Sequence, residues 1–166
     1  MRALRALVGC ATSCVVLEEL RKRGIAAWQC DILPADAPAN RHIQNDIRNV
    51  LPWGWDLLMI GNPPCTRLWN SGVRWLSVPP AGRSREEMWS ELDEGADLFS
   101  ECLNAPIPHV AVENSVVHRH ARERIRNWAK PQIVQPWCFG DPAFKATGLH
   151  LRNLPELVPT NKLTPQ

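Results

Sequence analysis

The 166-residue chain has no tyrosine, no Cys-x-x-Cys pair, no long apolar run and almost no net charge. Each absence excludes something. Without a run of about 18 apolar residues, no membrane span is expected. Without a paired-thiol motif, the cysteines at 10, 14, 30, 65, 102 and 138 read as reduced thiols of a cytoplasmic protein, not as a disulfide framework. Cys10, Cys14, His118 and His120 have no spacing that makes a zinc site, so no metal ligands are expected. The net charge of +2 lacks the basic surplus that usually marks an unaided grip on duplex DNA, although nucleic acid is not excluded. No repeat or dividing linker is visible. The chain is therefore read as a single domain over 1–166, long enough for a real core. The apolar part of its start is too short for a signal peptide and reads as a first strand.

Proline and tryptophan are abundant instead, at fifteen and eight residues. The prolines imply stiff loops on a compact scaffold. Hydrophobic patterning predicts strands at 3–8, 25–30, 42–44, 57–60, 110–112, 133–135 and 145–151. Helices are expected at 15–23, ended by Gly24, at 47–50, at 86–103 with Met88, Leu92, Phe99 and Leu103 on one face, and at 118–129. Thr12 or Ser13 is the expected N-cap of the first helix. Residues 68–85 form a long loop, a length that is usually functional. Residues 155–166 are a Pro-rich tail extended over the surface. This order implies an α/β protein with a mostly parallel sheet, helices on both faces and an antiparallel last strand.

Chemistry-bearing residues cluster after strand ends: Asp31, Asp46, the run Gly61-Asn62-Pro63-Pro64-Cys65-Thr66, and Glu113-Asn114. In a doubly wound sheet such ends share one edge, where ligands bind. Two prolines fix the backbone of the loop that presents Cys65. A lone cysteine is more often a buried, inert residue, but the residues around this one favour a nucleophile. His118, Arg119, His120, Arg122, Arg124 and Arg126 form a basic patch, read as a solvated helix face rather than as phosphate contacts.

The run Pro63-Pro64-Cys65, with Val112-Glu113-Asn114 and the closing stretch from Gln135 through Lys145-Ala146-Thr147 to Thr160, resembles the short, phage-type DNA cytosine-C5 methyltransferases. The resemblance implies a Rossmann-like methyltransferase fold, S-adenosyl-L-methionine as cofactor, a flipped-out cytosine in DNA as substrate, and a bacterial host cytoplasm. It implies Cys65 as nucleophile, Glu113 as the acid contacting the base and Asn114 as loop organiser. Gly9, Asp31, Asp46, Asn62 and Pro63 would contact the cofactor. Pro64, Thr66, Arg67, Trp69 and Lys145 would line the substrate site. Thiolate addition at C6 makes C5 nucleophilic, and a carboxyl at N3 stabilises the charge. A base inside a duplex must be flipped out before such chemistry.

The chain departs from the family pattern in four places. Only Gly9 remains of the glycines in the first turn. Ser115 follows Glu-Asn. No Arg-x-Arg pair follows Gln135, so Lys145 or Arg67 would supply the positive charge. No target-recognition domain fits, so site specificity would come from residues 68–85, a protein partner or a second copy. Three alternatives follow from the sequence. The first is a catalytically inactive fold binding DNA or a host protein. The second is an enzyme acting on free pyrimidine nucleotides. The third is an amino-group methyltransferase using Asn62-Pro63-Pro64.

Overall fold

The computed structural model describes residues 2–38, 40–61, 63 and 66–164. All seven strands join one sheet: β1 Arg5–Gly9, β2 Ala26–Asp31, β3 His42–Gln44, β4 Leu57–Ile60, β5 His109–Ser115, β6 Gln132–Val134 and β7 Thr147–Arg152. Their order is β3-β2-β1-β4-β5-β7-β6. β7 alone runs antiparallel, to both of its neighbours. The mostly parallel sheet with an antiparallel last strand is as the patterning predicted.

The helices are α1 Val15–Lys22, α2 Ile47–Val50, α3 Arg85–Leu103 and α4 Arg119–Arg122. Gly24 ends α1 as expected. It takes φ +77°, its N–H reaches Arg21 O, and the Ile25 N–H reaches Leu20 O. That paired geometry requires a left-handed residue after the helix. The start of α1 differs from expectation. Neither Thr12 nor Ser13 caps it; Cys14 does, at φ +60° and without a side-chain hydrogen bond. The chain turns at Cys10 and again at Cys14, both left-handed, which carries the cap one residue further.

α3 starts one residue earlier than its pattern suggested, because Ser84 and Glu87 form a reciprocal capping box. It buries Met88, Leu92, Ala96 and Phe99 against Leu7, Leu58, Val110 and Val112, forming the main core. α1 buries Leu17 against Ala6 and Ala27 on the opposite face. Helices thus lie on both faces, but unequally. On β4 and β5, Leu58, Ile60, Val110, Val112 and Asn114 are buried, whereas Leu57, Met59, Ala111, Glu113 and Ser115 remain partly exposed. The α1 side of the sheet is therefore open over the strands that carry Glu113.

Two expected elements change length. β5 runs on to Ser115, so Glu113 and Asn114 lie within the strand and do not follow it. Antiparallel pairing to β7 extends it: Glu113 faces Leu149, Asn114 faces Gly148 and Ser115 faces Thr147. The expected helix over 118–129 is only the single turn α4. Asn127 takes φ +56°, and Arg124 and Arg126 turn back to pair with Asp93 and Asp97 of α3. The tail after β7 is extended and held at several points. Gln132 bonds both the N–H and the carbonyl of Leu157, and Leu163 N–H reaches Trp137 O.

Candidate active site

The carboxyl ends of β1, β2 and β3 surround a cavity of about 330 Å³. Cys10, Asp31, Ile32, Asp46, Arg48 and Leu98 contribute to its wall. Its size suits a small molecule. Asp31, the last residue of β2, accepts the Leu33 N–H with Oδ1 at 2.9 Å. Its other oxygen makes no hydrogen bond among the described residues. Ile32 projects beside it and is 68% exposed, an apolar side chain left at a cavity rim. Asp46 is more committed. It caps α2 through the Arg48 N–H and forms a two-pronged ion pair with the Arg48 guanidinium. That guanidinium holds the Asp46 carboxyl below its usual range. Gly9 is close-packed: a Cβ there would meet Ile47 Cδ1 at 2.0 Å and Ile60 Cδ1 at 2.5 Å. Its smallness serves the core beneath the cavity.

The first turn lacks glycines but keeps a glycine-like backbone, with Cys10 at φ +54°. Its thiol is largely buried, and burial pushes its pKa far up. The residues present fit the adenosine part of a nucleoside cofactor. A carboxylate oxygen stands unpartnered, and Ile32, Ile47 and Leu98 supply an apolar slot.

A second, open cavity of about 770 Å³ shares Arg48 and Leu98 with the first and continues along α3 to Thr66 and Arg67. Thr66 is exposed, and Pro63 is buried. The expected contacts at Asn62, Pro64 and Cys65 lie outside the described residues. Arg67 is mostly buried and pairs with Glu91 at 2.6 Å, so its charge is already matched.

The segment after β4 is fastened to the segment after β5. Trp69 Nε1–H donates to Asn114 Oδ1 at 2.5 Å, and Trp69 forms an isolated bridge with Val117. Trp69 is thus part of the packing rather than a free wall of a base pocket. Asn114 is 1% exposed, and its Nδ2 has no partner among the described residues. His118 adds a further tie. Its Nδ1 accepts the Ala121 N–H, so Nε2 carries the proton and donates to Arg67 O at 2.6 Å. His118 is buried, not solvated as its basic neighbourhood suggested; burial lowers its pKa. Gly72 completes the arrangement, since a Cβ there would lie 2.2 Å from Thr66 O.

Glu113 stands one register position past the pair Ile60–Val112, where β4 ends. It is half-buried on the open face and makes no hydrogen bond or ion pair among the described residues. Burial raises its pKa, with the Lys145 charge opposing. Lys145 is exposed, and its backbone N–H is held by Gln135 Oε1 at 3.0 Å. Glu113, with Lys145 near enough for its charge to act on the carboxyl, thus lies on one side of the β4 end, and Asp31 and Asp46 on the other.

Sequence reasoning missed Ile32, Arg48 and Leu98, and read His118 as part of a solvated face. An apolar residue directly after Asp31 was a readable signal for the first. The other three depend on packing between distant segments. No group of three metal-ligating side chains occurs among the described residues, and no helix there is long and apolar enough to cross a membrane. No protein-family model and no curated protein matches the chain.

Proposed function

We propose that the protein is a Rossmann-like, S-adenosyl-L-methionine-dependent methyltransferase acting at cytosine C5 of DNA. One observation supports this most: an unpaired, half-buried Glu113 with a raised pKa beside Lys145, across the end of β4 from a cavity with a spare carboxylate oxygen. The sheet order reverses direction between β1 and β4, the position where open α/β sheets bind ligands. The cofactor would be held by Asp31 at its ribose and by Ile32, Ile47 and Leu98 at its adenine; when bound it supplies an electrophilic methyl group. Asp46 acts through Arg48 and the start of α2, as a positioning residue.

The protein's own residues do the rest. The Cys65 thiolate adds to C6 of the flipped cytosine, and the C5=C6 electron pair moves toward C5. Burial raises the Glu113 pKa and so favours its acid form, which donates a hydrogen bond to N3 and stabilises the charge that develops there. Once C5 has bonded to the methyl group that the cofactor would supply, a base such as water takes the C5 proton, the C5=C6 double bond re-forms and Cys65 leaves as thiolate. Asn114, with Trp69 and His118, fixes the loop that presents the thiol.

The test uses DNA carrying 5-fluorocytosine, incubated with protein and cofactor. A covalent adduct that withstands denaturation is expected, absent in Cys65→Ala and slowed by about 100-fold or more in Glu113→Gln. An adduct that persists in Cys65→Ala would overturn the reading. So would failure of the wild type to form one while binding both partners.

A further inference from the structure

The structure sorts the cations of the segment after β5 into two groups. Arg119 pairs with Glu123, Arg124 with Asp93 and Arg126 with Asp97. Arg122 has no carboxylate partner among the described residues; its Nε donates to Val117 O at 2.8 Å, leaving the two terminal nitrogens free. Lys130 is exposed and makes no ion pair among the described residues. These two cations border a cavity of about 310 Å³ at the end of β5, over Ile133 of β6 and Gly148 of β7. Its body is apolar, built from Val117, Trp128, Pro131 and Ile133. Ile133 is 51% exposed, an apolar side chain facing outward from an edge strand.

An apolar cavity with two unmatched positive charges at its rim fits a ligand that is apolar in its middle and anionic at its edge. A nucleotide has that form: a base or sugar face, and a phosphate. The cavity lies at the same end of β5 as the candidate site, with Ser115 at its border. Glu113, two residues back, projects from the face of the sheet opposite the cavity, so a nucleic-acid strand that serves both turns around the β5 tip. Lys145 continues the line of unmatched charge on the far side of the β5–β7 tips.

We propose that this cavity is a subsite for the nucleotide adjoining the target cytosine, and that it selects a single strand over a duplex. The proposal rests on the cytosine reading above for the identity of the neighbouring site. Two arguments choose the single strand. A base can lie on Trp128, Pro131 and Ile133 only when it is unstacked from its own neighbours, which costs little in a single strand. Binding a duplex through its backbone draws on many phosphate contacts, about six to ten in strongly salt-dependent cases. This edge offers Arg122, Lys130 and Lys145, and the other arginines nearby are already matched.

The experiment measures anisotropy of a short fluorescein-labelled oligonucleotide, single-stranded or annealed, against salt concentration and without cofactor. The single strand is expected to bind more tightly than the duplex. Lys130→Gln and Ile133→Glu each weaken it by about tenfold, and Lys130→Gln lowers the log–log salt slope by about 0.7. Arg119→Gln changes neither. Lys130 and Ile133 are exposed, so both variants should keep the wild-type melting temperature; Arg122→Gln is a third variant, checked in the same way. Wild-type binding in Lys130→Gln and Ile133→Glu overturns the subsite, as does duplex binding as tight as single-strand binding, or no binding at all. If the fluorinated-DNA adduct forms while those variants bind normally, the subsite falls and the cytosine chemistry stands. If binding depends on Lys130 and no adduct forms, the nucleotide subsite stands and the C5 chemistry falls.

Discussion

Cys10 and Cys14 show how much a single residue can be asked to do here. Both hold left-handed φ angles that cost a non-glycine residue about 1–2 kcal/mol each. The turn after β1 thus takes left-handed backbone at two positions without a glycine at either. Three thiols meet around this region, and burial governs their chemistry. It raises Cys30 to about 11 and Cys102 to about 12, with Cys10 higher still. Since the thiolate is the nucleophile, these cysteines are inert near neutral pH. Iodoacetamide at pH 8, followed by peptide mass mapping, should leave Cys30 and Cys102 unmodified long after the most accessible thiols react. Addition of urea should expose them together. Rapid modification of either in the folded protein would contradict the packing described.

At the scale of the element, the decisive unit is the segment after β4, because it must present the candidate nucleophile. It is held by Asn114 from β5, His118 at the start of α4, and its own close approach at Gly72. Gly72→Ala places a methyl group against backbone, which cannot move aside as a side-chain tip can. The expected result is a loss of about 2 kcal/mol or more in denaturant unfolding, with disturbance of the Trp69 region. Ser84→Ala is the contrasting case. It removes the capping box of α3 and should cost about 1 kcal/mol, with the segment after β4 left in place. Equal effects from the two would mean that Gly72 is not under the constraint described. The sequence was legible where signals were local. Gly24 announced the end of α1, and the apolar run 57–60 matched β4 residue for residue. The true length of β5 was not legible, because β7 pairs with it from more than thirty residues away.

At the scale of the whole molecule, His150 is a buried liability. His150 is 4% exposed, packed edge-on against Phe99 and Trp128, with Nε2 lacking a partner. Burial lowers its pKa from 6.5 to about 4, only partly offset by the Ala129 backbone. As pH falls, the unfolded chain takes up this proton first. Its contribution is therefore intact above about 6.5 and lost progressively toward 4. Glu113 has the opposite sign, since its raised pKa makes the folded state bind its proton first. Denaturant titrations at pH 7 and pH 5 should show a stability loss of about 2 kcal/mol from His150. His150→Leu should remove most of that difference. A wild-type protein equally stable at both values would overturn the assignment.

By itself the sequence determined what short-range chemistry can determine. The period of apolar residues set α/β alternation, turn formers set most element ends, and the residue types near strand ends named the candidates for chemistry. Tertiary structure decided which of them are available. Asp46 and Arg67 turned out to be matched by nearby opposite charges, Trp69 was tied to Asn114, and Arg122 and Lys130 were left unmatched. The reason is physical. A side chain's freedom depends on which distant segment lies against it, and the sheet order, not the local sequence, sets those neighbours.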